Sequence, residues 1–190
     1  VRVQAVRAVA DLADPGLVRD RLDAGAPGDD AVARRLAALG RPADASVHRE
    51  VIVALGRLQW PGLPDWLKKR SAMAFDAARL HAGQQALRRV GRWNATLALL
   101  DLPSGHPARM MALRAVADQF ENDVVEGLID RLREDGREDR RRDYAEWLTR
   151  IWKKPAPWKY WGYRPPPRPA HTVSWDQTQA LEPALGGALG

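Results

Sequence analysis

The side chains that most often perform chemistry in proteins are sparse in this sequence. Cysteine is absent, which excludes thiolate metal sites, a thiol nucleophile and disulfides within these 190 residues. None of the four serines lies in a Gly-x-Ser-x-Gly turn, and the four histidines include no i, i+4 pair of the kind that binds zinc. No Gly-rich loop ends in Lys-Ser or Lys-Thr. We therefore expect no catalytic residue, no metal site and no cofactor, and we predict that the chain is not an enzyme.

Carboxylates are abundant, but they alternate with arginines. Within 135–142, Asp135, Glu138 and Asp139 stand among four arginines, a pattern typical of a solvated, ion-paired helix face. The whole chain has 30 Lys and Arg against 24 Asp and Glu, a net charge of +6. This excess leaves nucleic-acid binding through a basic surface, densest at 137–159, as an alternative function.

Aromatic side chains concentrate near a proline-rich stretch, 155–173, which we call the Trp/Pro-rich segment. Its prolines remove backbone donors and disfavour helix, so we expect extended backbone there. In one interpretation Trp158 and Trp161 pack on the helix that carries Trp147 and Trp152 and cap the helical array, which is the interpretation that we favour. In the other, the rings form a recognition surface for a sugar, an aromatic ligand or another protein. The candidate binding residues are then Trp158, Tyr160, Trp161, Tyr163, Arg164 and Trp175.

A nine-position pattern recurs three times, at 1–9, 47–55 and 108–116. Apolar residues stand at its first, fifth, eighth and ninth positions, which form one face of a helix. His48 takes the second position, which Arg2 and Arg109 hold in the other copies, so we expect its side chain at the surface. Repeated helix pairs are typical of an α-solenoid, and a small residue in each copy suits a close helix crossing: Ala8, Ala54 and Ala115.

Capping residues and breakers divide the chain into helices. The expected N-caps are the pair Asp29-Asp30, Ser46 and Asp65, and Gly40 and Gly136 mark expected C-terminal ends. Alternating β-branched strand patterns are nearly absent, so we predict an all-α fold. The expected helices cover 1–12, 15–24, 29–39, 47–58, 65–80, 82–91, 94–101, 107–119, 123–135 and 138–154.

A last, short helix is expected after the Trp/Pro-rich segment. Ser174 and Gln177 have the spacing of a capping box, which would open this helix. Pro183 and the glycine pair 186–187 are expected to disrupt it, because proline removes a helical donor and glycine is a poor helix former.

One resemblance combines these features. Short helical repeats run into Trp158-x-x-Trp161-Gly162-x-Arg164-Pro165, and Trp175-x-x-Thr178 follows. This arrangement resembles the HEAT-repeat region, of the phycobilisome-lyase-like type, of large planctomycete-type extracytoplasmic proteins that also carry a propeller dehydrogenase-like domain and a c-type cytochrome domain. The chain departs from that family at Tyr160 and Tyr163 and lacks the haem motif, so any electron transfer would lie elsewhere in the parent protein. The resemblance implies a periplasmic location.

The sequence therefore predicts a HEAT-like α-solenoid of antiparallel helix pairs. The expected domains are the helical repeats (1–154), the Trp/Pro-rich capping segment (155–173) and a short helix with a flexible end (174–190). We expect a non-enzymatic scaffold, a fragment of a larger multidomain extracytoplasmic protein, that binds protein partners or neighbouring domains of the same polypeptide. Specific nucleic-acid binding is not expected, and neither is membrane insertion, because no apolar run approaches the length of a membrane span. The alternative is a nucleic-acid-binding helical-repeat protein.

Overall fold

The fold is all-α, as the sequence predicts. The computed structural model describes residues 1–18, 28–40, 44–70, 75–158 and 166–189. Within these residues strand is confined to one pair of two-residue strands. The chain divides into two compact units, Val1–Val116 and Ala117–Gly190. No helix in the described ranges combines the length and the apolar character needed to cross a bilayer. The domain boundaries expected from the sequence stay a prediction.

The first unit is built from eight of the described helices and a 3-10 turn. The helix α4 contacts α1, α3 and α6, while α6 also contacts α5 and α8. Its fully buried side chains include Ile52, Leu55, Leu67, Leu87, Leu100 and Met111. The elements are α1 (Arg2–Ala13), α2 (Pro15–Val18), α3 (Asp30–Leu39), α4 (Ala45–Arg57), α5 (Leu63–Arg70), α6 (Ala77–Val90), α7 (Trp93–Leu97), the 3-10 turn (Ala98–Asp101) and α8 (Pro107–Val116).

The described residues of the second unit form three helices and the strand pair. Each of its helices contacts the other two. Their shared core includes Leu128 of α9 and Tyr144 and Leu148 of α10, all with no exposed surface. The elements are α9 (Asn122–Glu134), α10 (Glu138–Arg150), β1 (Lys154–Pro155), β2 (Thr172–Val173) and α11 (Thr178–Leu189).

Local capping signals predict some helix ends and miss others. Asp29 is an N-cap as predicted, since its Oδ1 accepts hydrogen bonds from the amides of Ala31 at 2.8 Å and Val32 at 3.1 Å. The prediction for Ser46 is wrong, because Asp44 caps α4 by accepting from the Val47 amide at 3.1 Å.

The expected helix over 65–80 is also corrected. Asp65 is not an N-cap but lies in the first turn of α5, which begins at Leu63 and ends at Arg70. The next helix has its own N-cap, Asp76, whose side chain accepts from the Arg79 amide at 2.7 Å. Likewise α10 ends at Arg150 rather than 154, with Ile151 as its C-cap.

The helix α11 runs through the residues that were expected to disrupt it. It continues past Pro183 and the glycine pair to Leu189, so that prediction is wrong. Packing explains the difference, because Leu181 and Ala184 on either side of the proline are buried. Tertiary burial here outweighs a poor local propensity.

The residues at the four apolar positions of the nine-position pattern are buried in its second and third copies, whereas those of the first copy are exposed. Val51 in α4 and Ala112 in α8 have no exposed surface, whereas Ala5 at the same position of α1 is exposed. Val9 of α1 is 41% exposed, and Leu55 at the equivalent position of α4 is fully buried. The same sequence pattern therefore occupies two different environments.

Candidate interaction site in the Trp/Pro-rich segment

The Trp/Pro-rich segment begins and ends at the strand pair. Lys154 lies opposite Val173 and Pro155 opposite Thr172 in an antiparallel register. The Ala156 amide extends this pairing by donating to the carbonyl oxygen of His171 at 3.2 Å. The two ends of the Trp/Pro-rich segment are thus held together by backbone hydrogen bonds.

Trp158 lies at the protein surface. Its side chain is 40% exposed, and its indole Nε1 donates to the carbonyl oxygen of Pro166 at 2.8 Å. The expectation that Trp158 is largely buried against α10 is therefore wrong. The indole N–H, the one polar group of the ring, bonds Pro166 within the same segment. It therefore needs no hydrogen-bond acceptor on α10.

Trp175 joins the end of α10 to the start of α11. Its indole Nε1 donates to the carbonyl oxygen of Ile151 at 2.8 Å, and its backbone amide donates to Oγ1 of Thr178 at 2.9 Å. The same Thr178 hydroxyl donates to the carbonyl oxygen of Trp152 at 2.9 Å. The Trp175-x-x-Thr178 element thus satisfies carbonyl groups that follow the last turn of α10. This bond from the Trp175 amide to Thr178, rather than a box between Ser174 and Gln177, forms at the entry to α11.

Lys154 and Phe120 complete the surroundings of Trp175. The Nζ of Lys154 lies 4.3 Å from the centroid of the Trp175 ring and 5.6 Å from that of Phe120. The two rings meet edge to face, with centroids 5.5 Å apart and planes at 81°. A cation close to two aromatic rings is stabilised by their quadrupoles. Sequence reasoning missed both partners, because they stand 21 or more positions from Trp175 in the sequence.

The structure describes two of the six candidate binding residues, Trp158 and Trp175. Trp158 and Trp175 have separate partners, and the other four candidate residues lie outside the described residues: Tyr160, Trp161, Tyr163 and Arg164. A further tryptophan at the end of α10, Trp152, is 37% exposed and carries the Nζ of Lys153 4.5 Å above its ring. Exposed indoles such as Trp152 and Trp158 can stack on planar groups or anchor an apolar side chain.

The arginines of α10 are mostly paired with carboxylates. Arg137 bonds Asp139 through Nε and Nη2, each at 3.1 Å, and Arg142 Nη2 lies 3.1 Å from Glu138 Oε1. Arg140 Nη1 lies 3.6 Å from Asp135 Oδ2. The prediction of an ion-paired helix face is confirmed. Pairing leaves fewer free positive charges for phosphate groups than the sequence alone indicates.

His48 is buried, contrary to expectation. Its ring has no exposed surface and lies between Trp66 and Phe75, each with its centroid 5.3 Å away. Neither ring nitrogen has a hydrogen-bond partner among the described residues. Burial, together with the positive charges of Arg79 and Arg70, lowers the pKa of His48 to about 4. The imidazole is therefore neutral near pH 7.

Arg109 is buried as well, although the pattern placed it at the surface. Its guanidinium Nε donates to the carbonyl oxygen of Leu100 at 3.1 Å. Only the first copy keeps a solvent-exposed residue, Arg2, at this position.

The described ranges hold no cluster of three His, Asp or Glu side chains that could bind a metal ion. Comparison with protein-family models, with curated proteins and with solved structures finds no match for this chain.

Proposed function

We propose that this chain is a HEAT-like α-solenoid of antiparallel helix pairs that serves as a scaffold for protein partners or neighbouring domains. The observation that carries the proposal is the succession of helix contacts in the first unit: α1 contacts α4, α4 contacts α6, and α6 contacts α8. In repeat proteins each helical repeat packs on the next one along the chain. In such proteins the stacked helices present surface for partners, and no residue needs to perform chemistry.

The exposed indoles Trp152 and Trp158 support a role in protein binding. Tryptophan is enriched among the residues that contribute most to protein interfaces. We propose that these rings contact a partner in the extracytoplasmic compartment, as part of a larger polypeptide.

The test is photo-crosslinking in cells of the native host. Benzoylphenylalanine replaces Trp152 or Trp158, and in matched controls it replaces exposed residues of the first unit, Arg92 or Arg114. We expect discrete cross-linked polypeptides from the Trp positions that excess unlabelled chain suppresses. Equal products from all four positions, or none, would contradict the scaffold proposal.

The alternative, nucleic-acid binding, has less support from the described surface. Four arginines within 137–150 pair with carboxylates, the last of them Arg150, whose Nη2 lies 2.9 Å from Asp118 Oδ2. A basic phosphate-binding surface needs several free cations to release counterions. A submicromolar complex with duplex DNA or single-stranded RNA at physiological salt would reverse this ranking.

A further inference from the structure

A groove of about 510 Å³ lies among the three helices of the second unit. Small and apolar side chains contribute to its lining: Leu132 of α9, Ala145 of α10, and Pro183 and Ala184 of α11. The small residues leave space where larger side chains would fill the angle between the helices. A groove of this volume is within the range of ligand-binding clefts.

Three arginines line the same groove. Arg133 belongs to the last turn of α9, while Arg141 and Arg142 come from the first half of α10. On α10 the lining residues follow helical spacing, because Glu138, Arg141, Arg142 and Ala145 stand at i, i+3, i+4 and i+7. One helix face thus places both charge and a small apolar residue at the groove.

The positive charges of this groove are only partly compensated. Arg142 pairs with Glu138, the one carboxylate in the lining, and both side chains are more than three-quarters exposed. The guanidinium groups of Arg133 and Arg141 form no ion pair or hydrogen bond with any described residue. The groove therefore carries an excess of two positive charges, in contrast to the paired arginines beside it on α10. Guanidinium groups bind carboxylates through two parallel hydrogen bonds, so this excess favours an anionic ligand.

We propose that this groove binds an acidic segment of a protein partner. Two carboxylates of the segment bind Arg133 and Arg141, and an apolar side chain between them contacts the half-buried Ala145 and the exposed Pro183. The apolar part of the lining favours a peptide over a phosphate group, because a phosphate group would leave this apolar surface exposed to water. The inference rests on the proposed role as a protein-binding scaffold and assigns one surface and one partner chemistry to it.

Fluorescence anisotropy with the full chain tests the proposal. The probe is a short fluorescein-labelled peptide of glutamate, leucine and alanine, and its control replaces every glutamate with glutamine. We expect the acidic peptide to bind about tenfold or more tightly than the glutamine peptide at physiological ionic strength. The double variant Arg133→Gln with Arg141→Gln should lose this difference, with an unchanged circular dichroism spectrum and melting temperature.

A charge-matched variant separates the groove from net charge. Arg35→Gln with Arg92→Gln removes the same two charges from exposed positions of the first unit, and we expect it to bind like the parent. Equal binding of both peptides, or an equal loss in both double variants, would overturn the proposal. A single-stranded oligonucleotide that binds more tightly than the peptide, with the same dependence on Arg133 and Arg141, would also overturn it in favour of a phosphate site. The photo-crosslinking positions Trp152 and Trp158 lie outside this groove, so the scaffold proposal can stand where this one fails.

Discussion

Gly56 on α4 and Ala86 on α6 meet at a helix crossing that has no room for another side chain. A Cβ atom at Gly56 would lie 2.7 Å from both the Cα and the Cβ of Ala86. Carbon atoms in contact normally stand about 3.5–4.0 Å apart, so one of the two helices would have to move. This close approach of α4 and α6 therefore depends on a residue outside the nine-position pattern, Gly56, one step beyond its last residue.

Gly56→Ala should destabilise the protein. Alanine is the better helix former by about 1 kcal/mol, but separating two packed backbones costs about 1–3 kcal/mol. We expect a net loss of about 1 kcal/mol, and at most about 2 kcal/mol, in the free energy of unfolding, measured by urea denaturation followed by circular dichroism.

Two further glycines provide the comparison. A Cβ at Gly186 in α11 meets nothing within 4 Å, so Gly186→Ala should stabilise by about 0.5–1 kcal/mol. At Gly83 the nearest atoms belong to the flexible side chain of Met111, which can shift where a backbone cannot. Gly83→Ala should therefore cost less than Gly56→Ala. A Gly56→Ala variant as stable as Gly186→Ala would show that the helices separate without penalty.

Trp175→Phe should destabilise the second unit by about 1–2 kcal/mol. Phenylalanine keeps an aromatic ring beside Lys154 but removes the indole N–H, which leaves the Ile151 carbonyl without this donor. Urea unfolding followed by circular dichroism measures the loss. Trp158→Phe is the matched control, because the exposed Trp158 gives up its bond to Pro166 where water can replace it. If Trp158→Phe lowered the free energy of unfolding as much as Trp175→Phe, this would contradict the proposal that Trp175 joins the end of α10 to the start of α11.

Sequence patterns predict what is local and miss what arises from packing. The all-α fold and the cap at Asp29 follow from residues within a few positions of each other. Two other outcomes do not: His48 is buried because Trp66 and Phe75 cover it, and α11 passes through Pro183 because its neighbours are buried. The repeat pattern aligned His48 with two arginines, but an alignment of positions carries no information about which helices lie against them.

The same limit applies to the candidate site. The aromatic composition draws attention to Trp158 and Trp175. Only the structure shows that Trp158 bonds Pro166 within the Trp/Pro-rich segment and that Trp175 bonds Ile151, the C-cap of α10. Likewise, the sequence shows acids alternating with arginines around 135–142, but it does not show that Arg141 is left unpaired beside a groove. Pairing depends on side-chain positions that spacing alone does not fix.

Arg57→Met should destabilise the first unit by about 2–3 kcal/mol. Arg57 at the end of α4 binds two carboxylates near the end of α1: its Nη1 lies 2.6 Å from Asp11 Oδ1, and its Nε lies 2.8 Å from Asp14 Oδ2. The Asp14 side chain is 8% exposed, so losing its guanidinium partner leaves a charge in a poorly solvated position. Thermal and urea unfolding measure the effect. Arg34→Met breaks an exposed i, i+4 pair with Asp30 and should cost less than about 0.5 kcal/mol. If Arg57→Met and Arg34→Met lowered the free energy of unfolding equally, the burial of Asp14 would not contribute to the effect.

His48 should make the protein less stable in mild acid. Its pKa is about 4 in the folded chain and 6.5 in the unfolded chain, so below pH 6.5 the unfolded state binds a proton that the folded state does not. The stabilisation is complete above pH 6.5 and is lost as the pH falls towards 4. Between about pH 7.5 and pH 5 the loss from this group amounts to about 2 kcal/mol.

Replacing the imidazole isolates this contribution from that of the carboxylates. His48→Leu places an apolar side chain between Trp66 and Phe75 and cannot titrate, so its free energy of unfolding should change less between the two pH values than that of the parent. Urea denaturation at about pH 7.5 and about pH 5 gives this difference, which we expect to be about 2 kcal/mol. His81→Gln, at an exposed position of α6, should keep the pH dependence of the parent. If His48→Leu and the parent lose stability equally, then burial and the positive charges of Arg79 and Arg70, which the carboxylate of Asp76 opposes, do not hold the imidazole neutral.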